Sequence, residues 1–241
     1  MAAFRIVEIL YPGLTQLDFT GPHTVFTRLP DTEVVVASRD GGEIASDGGL
    51  TFAHTRRLAE IDRCDLICIP GGFSATEAAN DAALIAEIQR LAAGARYLTS
   101  VCTGSLILGA AGLLKDRRAA CHWAWRQMLP LFGAIPDQGR VVRDGNIITG
   151  GGVTAGIDFA LTVAAELAGE DVAMAIQLGL EYAPASPFNS GRPELAPPHV
   201  LAVVQARMDA AMPARLAQAK TAASMMTQGA CFDTPLRVGS A

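Results

Sequence analysis

Cysteine is the residue type here best suited to covalent chemistry, and one of the five stands where a strand hands over to a helix. In "YLTSVCTGSLILGAAGLL", Tyr97 to Val101 predict a short buried strand, and Leu106, Ile107, Leu108, Leu113 and Leu114 recur at helical spacing. Cys102 lies at the junction, with Thr103, Gly104 and Ser105 behind it. A thiol there stands close to the free N–H groups and positive end of a helix, which favour a thiolate. The strand–Cys–Thr–Gly–Ser–helix layout has the form of a nucleophile elbow, a turn that forces the side chain out of the sheet top. The competing reading is a buried structural cysteine. Cys64 and Cys68, at the edge of and within the apolar strand "DLICIP", read as small core residues.

A second candidate is Asp18 in "LTQLDFTGP", an acid between Leu17 and Phe19 on a mostly apolar segment. It either caps the turn at Gly21-Pro22 or is held near the thiol in an apolar pocket, where burial would raise its pKa and let it carry a proton. The turn Pro70-Gly71-Gly72 is an ordinary strand exit unless it faces Cys102. In that case the N–H of Gly72 and that of Thr103 would form the donor pair of an oxyanion hole. His122, beside Trp123, is a candidate base for the cysteine or a core histidine, while His23, His54 and His199 show no telling neighbours. "TGGGVTAG" places Gly151 ahead of a helix. It has neither the lysine of a phosphate loop nor the G-x-G-x-x-G spacing, so it reads as a tight turn lining a pocket, with Gly151, Gly72 and His122 as substrate- or oxyanion-binding positions.

Elements that could hold these residues alternate along the chain. Strands are expected at Phe4–Leu10, Thr32–Ser38, Leu66–Ile69, Tyr97–Val101 and Arg118–His122. Hairpins are expected across Asp40–Phe52 and across Asp144-Gly145. Helices are expected at Thr15–Arg28 with Gly21-Pro22 interrupting it, from the Asp81 cap to Ala93, around Trp125–Leu129, at Thr154–Ala168, about Asp171–Tyr182 and at Val200–Ala211. A Pro-rich loop follows Tyr182, and the pattern fades from about Thr221. The expectation is one α/β domain over 1–220 with a loosely ordered tail over 221–241. Its sheet should be mostly parallel, with helices on both faces. In such sheets functional groups gather beyond the carboxyl ends of strands, where Cys102 and Pro70-Gly71-Gly72 both fall.

With 50% hydrophobic and 18% charged residues in 241, a large core is affordable. A net charge of −5 without a Lys/Arg-rich face argues against nucleic-acid binding. The odd cysteine count without a C-x-x-C pair argues against a disulfide framework and a structural zinc site. No basic leader precedes the first strand and no apolar run is long enough to span a bilayer, so the expectation is a soluble, cytoplasmic protein.

Taken together, "YPGLTQLDFTGP", "DLICIPGG", "SVCTGSLILGAAGLL", "ACHW" and "TGGGVTAGIDFAL" resemble the ThiJ/PfpI superfamily, of flavodoxin-like, class I glutamine-amidotransferase-like fold, over about Phe4 to Asn189. Within it, the aspartate before "FTGP", "VCTG" and "EYAPASPF" are most similar to the isonitrile hydratase branch. Thr103 stands where the peptidase branch places histidine. Asp18 stands where the glyoxalase and chaperone branches usually place glutamate, and only about fifty residues follow the Pro-rich loop, too few for the helix-turn-helix module of the regulator branch. The resemblance implies hydration of an isonitrile to an N-substituted formamide, with no metal or organic cofactor. Cys102 would attack the terminal carbon to form a thioimidate, Asp18 would store the proton, and Thr103 would position the sulfur or the water. It also implies a small apolar substrate and a homodimer. A glyoxalase- or deglycase-like enzyme and a non-catalytic cysteine-based sensing module stand as the alternatives.

Overall fold

Runs of β-branched and aliphatic residues with no polar alternation mark strands buried on both faces. The computed structural model, which describes residues 3–228, arranges them in an eight-stranded sheet. In chain order the elements are β1 (Phe4–Leu10), α1 (Gln16–Phe26), β2 (Thr32–Ser38), β3 (Gly42–Ala45), β4 (Thr51–Arg57) and β5 (Leu66–Ile69). Next come α2 (Ala75–Ala78), α3 (Ala82–Ala92), β6 (Tyr97–Val101), α4 (Gly104–Ala110), β7 (Arg118–Ala120) and a 3-10 helix at Arg126–Phe132. Then follow β8 (Ile135–Asp137), β9 (Val141–Asp144), β10 (Ile147–Gly150), α5 (Ala155–Ala168), α6 (Glu170–Gly179) and α7 (Pro198–Gln228).

The sheet order is β3-β4-β2-β1-β5-β6-β10-β9. Its centre is parallel, with Phe4 opposite Thr32, Ile6 opposite Leu66, Leu66 opposite Tyr97 and Leu98 opposite Ile147. Only the flanking pairs β3–β4 and β9–β10 are antiparallel. Each central strand feeds two cores. In β5, Leu66 and Cys68 join the core that includes Val25, Phe26, Phe159 and Val163 of α1 and α5, while Ile67 and Ile69 join the one that includes Leu84, Ile88, Leu106 and Ile107 of α3 and α4. All four β5 residues are buried. The expected parallel sheet with helices on both faces is therefore the observed fold.

One departure lies in α1, which runs unbroken through the expected interruption at Gly21-Pro22, so Asp18 stands in its first turn rather than capping a turn there. The others lie at the periphery. Strand β7 stops at Ala120, leaving His122 beyond it, and pairs with the unexpected β8 in a separate two-stranded ribbon. The expected break before Thr221 does not occur: α7 runs unbroken from Pro198 to Gln228 with Pro213 inside it. Residues 221–228 are thus helical rather than a loose tail, and Ala222 is buried. Proline removes one backbone donor, and tertiary packing offsets that loss. Met208, Met212 and Leu216 pack on the core, Thr76 Oγ1 donates to Gln218 Oε1 at 2.6 Å, and Asn80 Nδ2 donates to the Gln218 carbonyl at 2.9 Å. The remainder of the expected tail, 229–241 with Cys231, lies outside the described residues.

Candidate active site

The β6–α4 junction has to reverse direction within one residue, and Cys102 does so with φ of 57°, a left-handed backbone that costs a non-glycine side chain energy. Its N–H is tied to the Gly150 carbonyl at 3.0 Å. The turn is this tight because Gly104 packs directly on β5: a Cβ there would lie 2.2 Å from the Ile69 carbonyl oxygen. The sulfur is consequently thrust from the strand end against the start of α1, where Asp18 sits fully buried. Gly71 lies at the point where these groups converge. A Cβ on it would stand 2.5 Å from Thr103 N, 2.6 Å from Asp18 Oδ2 and 2.7 Å from Cys102 Cβ. The structure thus brings Cys102, Thr103 and Asp18 together around one glycine.

Asp18 Oδ2 accepts from the Gly71 N–H at 3.0 Å, while Oδ1 has no hydrogen-bond partner among the described residues. Burial raises the Asp18 pKa to about 7, against the opposing pull of Cys102 and the Gly71 N–H. Burial also pushes the Cys102 thiol well above its ordinary value, and the Asp18 charge adds to this, while the Thr103 N–H pulls the other way. The sequence reading expects a thiol made acidic by the helix mouth. The structure differs, because a two-turn helix start cannot offset complete burial beside an acid. Two negative charges are disfavoured in so dry a place, so above about pH 7 Cys102 and Asp18 keep one proton between them, and below it they gain a second.

Thr103 plays a part that the sequence does not reveal. Its hydroxyl donates to the Gly72 carbonyl at 2.9 Å and accepts from the Gly72 N–H at 2.8 Å. The expected pairing of a free Gly72 N–H with that of Thr103 is therefore not formed: Gly72 spends its donor on the threonine side chain. What the reciprocal bond does instead is clamp the Pro70-Gly71-Gly72 turn to the elbow.

The sulfur opens onto a cavity of about 50 Å³ lined by Thr15, Phe73, His122, Trp125, Val153 and Met208 as well as Gly72 and Thr103. His122 Nδ1 accepts from the Ala124 N–H at 3.3 Å, which leaves the proton of the neutral ring on Nε2. Burial and the nearby Arg126 charge lower its pKa to about 4, so at neutral pH it is an uncharged donor. Gly151 is absent from this cavity; its N–H donates to the Arg140 carbonyl at 2.9 Å, and it lines a larger neighbouring cavity that His122 also borders. His23, which showed no telling neighbours in sequence, pairs through Nδ1 with the buried Glu8 Oε2 at 2.6 Å.

Sequence reasoning missed the roof. Arg215 of α7 lies 4.1 Å over the Trp125 ring centroid and 4.9 Å over that of Phe73, and Met208 closes the cavity from the same helix. Tyr11, whose hydroxyl donates to the Pro70 carbonyl at 3.2 Å, was overlooked as well, although it stands in the singled-out segment "YPGLTQLDFTGP".

Residues 4–166 match the family model described as the DJ-1/PfpI family, two thirds of the chain. The chain belongs to the DJ-1/PfpI family. Among its relatives in that family, the isonitrile hydratase of Pseudomonas putida is 51% identical over 83% of this chain and 87% of that protein. The crystal structure of a ThiJ/PfpI family protein from Pseudomonas syringae superposes with a TM-score of 0.86 at 40% identity, covering 92% of this chain and 91% of that one. The DJ-1beta structure from Drosophila melanogaster, at 24% identity, shares the DJ-1/PfpI fold with a TM-score of 0.67 over 76% of this chain and all of its own.

Proposed function

We propose that this chain is an isonitrile hydratase that adds water to R–NC to give R–NH–CHO through a Cys102 thioimidate. The observation that carries the reading is the buried Cys102–Asp18 pair facing a small cavity, together with the 51% identity to the Pseudomonas putida isonitrile hydratase. An isonitrile carbon bears a lone pair and accepts a nucleophile only when a proton arrives on that same carbon. A thiol and a carboxyl holding one proton supply both. In the first step the C–S bond forms, the shared proton passes to carbon, and the product is the thioimidate R–N=CH–S–Cys102, with Asp18 left as carboxylate. In the second, Asp18 takes a proton from water as its oxygen bonds to carbon and passes that proton to nitrogen, giving R–NH–CH(OH)–S–Cys102, whose hydroxyl proton returns to the Cys102–Asp18 pair as the carbonyl forms. The C–S bond breaks in that same step, releasing the formamide and restoring the original proton count. Protons and one sulfur suffice, so the reaction draws on no metal or organic cofactor.

Thr103 keeps the elbow rigid through its bonds to Gly72 and offers its backbone N–H to the sulfur. The neutral His122 borders the cavity as a donor for substrate nitrogen or for the attacking water. A homodimer in the cytoplasm completes the reading. It is supported by exposed apolar side chains on α6 and the segment after it, where Leu178 is 82% and Phe188 77% exposed, and by the dependence of a free thiol on a reducing compartment. No helix among the described residues is long and apolar enough to cross a membrane. The test is to supply cyclohexyl isonitrile to wild type and Cys102→Ala and follow formamide by chromatography. Turnover confined to wild type supports the proposal. Consumption of methylglyoxal in place of isonitrile would transfer the site to glyoxalase-like chemistry, and inertness toward both, with oxidation of Cys102 alone, to sensing.

A further inference from the structure

Beyond His122 lies a second, larger cavity, of about 260 Å³, that shares His122 and Val153 with the reaction cavity. Its character is different. Three arginines reach it: Arg126 from the start of the 3-10 helix, Arg140 and Arg192. Arg140 is already committed, with Asp158 Oδ2 at 2.6 Å and the Thr154 carbonyl at 3.0 Å. Arg126 is not: among the described residues it forms no ion pair, and its Nε is buried without an acceptor. Arg192 likewise forms no ion pair there, and Glu194, which also lines the cavity, bonds to neither. A guanidinium donor withdrawn from water and left unanswered is costly, and such cost is removed when an anion arrives.

The reaction cavity, for its part, has room for an isonitrile head and little more. The body of a substrate therefore has to leave it, and past His122 and Val153 it meets these arginines. We propose that the second cavity seats a carboxylate on the substrate, bound by Arg126, so that the preferred substrates are isonitriles that carry a carboxylate on the same molecule. A planar guanidinium presents paired donors that match the two oxygens of a carboxylate, and Trp123 on the cavity wall covers the intervening chain. This rests on the hydratase reading for the isonitrile end alone; the anion seat stands on the cavity.

The experiment compares a short series of ω-isocyanoalkanoates with their methyl esters, and the corresponding N-formyl products with theirs. Turnover gives kcat/KM, and calorimetric titration of the formyl compounds gives affinity without chemistry. Wild type is expected to favour acid over ester by about 10- to 100-fold in both at the best chain length. In Arg126→Gln the preference is expected to collapse to near unity, and in Arg126→Lys to survive in part. Equal handling of acid and ester by wild type across the series, or a preference untouched by Arg126→Gln, overturns the proposal. If the N-formyl acids bind through Arg126 but no isonitrile is hydrated, the anion seat holds and the hydratase reading fails. If esters and acids are hydrated alike, the reverse follows.

Discussion

Replacing Asp18 by asparagine separates what the carboxyl does for chemistry from what it costs the fold. Asparagine keeps the shape, and its carbonyl oxygen can still accept the Gly71 N–H now bound at 3.0 Å. What goes is the ionisation. Burial holds the carboxyl protonated up to about 7, whereas in the unfolded chain it ionises near 3.8. Between those values the folded state binds more protons than the unfolded one, so stability falls as pH rises from about 4 to about 8. At about 1.4 kcal/mol per unit, the full penalty above pH 7 is about 4 kcal/mol. Asp18→Asn escapes it. The variant is expected to melt several degrees higher than wild type at about pH 8, on a scale of about 2–4 °C per kcal/mol for a chain of this size, and to converge with it toward about pH 4. Its hydration rate is expected to drop by about 10²- to 10⁴-fold, the range of a lost general acid–base group. Thermal melts across pH and formamide production on the same preparations check both halves. A variant less stable than wild type at about pH 8, or one that keeps its rate, would refute the placing of a costly buried proton store at this position.

Gly71→Ala should force a methyl group against Thr103 N, Asp18 Oδ2 and Cys102 Cβ, all within 2.7 Å. We expect a loss of about 1–3 kcal/mol in denaturant titrations and a fall in turnover larger than that of a remote glycine such as Gly94, which has open space around its Cβ position. His122, lowered to about 4, should show no protonation in a proton-NMR titration between about pH 5 and 9, so that a rate profile over that range carries the Asp18–Cys102 pair and no histidine limb. Arg215→Ala removes the cation from over Trp125 and Phe73. The expected cost is about 1–2 kcal/mol, with a change in tryptophan fluorescence that Arg215→Lys reduces.

Much of the fold could be read from local pattern, because strands such as Leu66–Ile69 are apolar throughout and are bounded by turn residues. The elbow could be read for the same reason: a cysteine between a buried run and helical spacing leaves few other conformations. What escaped was set by contacts between distant residues. The proton affinity of Cys102 is governed first by its burial and then by Asp18, 84 positions earlier, neither of which shows in "SVCTGS". The Gly72 N–H was lost to a threonine hydroxyl 31 positions away. Helix α7 carries Pro213 and only a diffuse apolar face, so its continuity comes from docking on the Thr76–Asn80 region rather than from its own periodicity.

That helix begins 32 positions after the family match ends at residue 166, yet it furnishes Met208 to the cavity wall and Arg215 to the aromatic roof. Reactive groups and ceiling thus belong to separable stretches of polypeptide. Selection could reshape which molecules are admitted by editing the ceiling while leaving sulfur and acid untouched, and a chimera that exchanges α7 between relatives would move substrate range without moving chemistry.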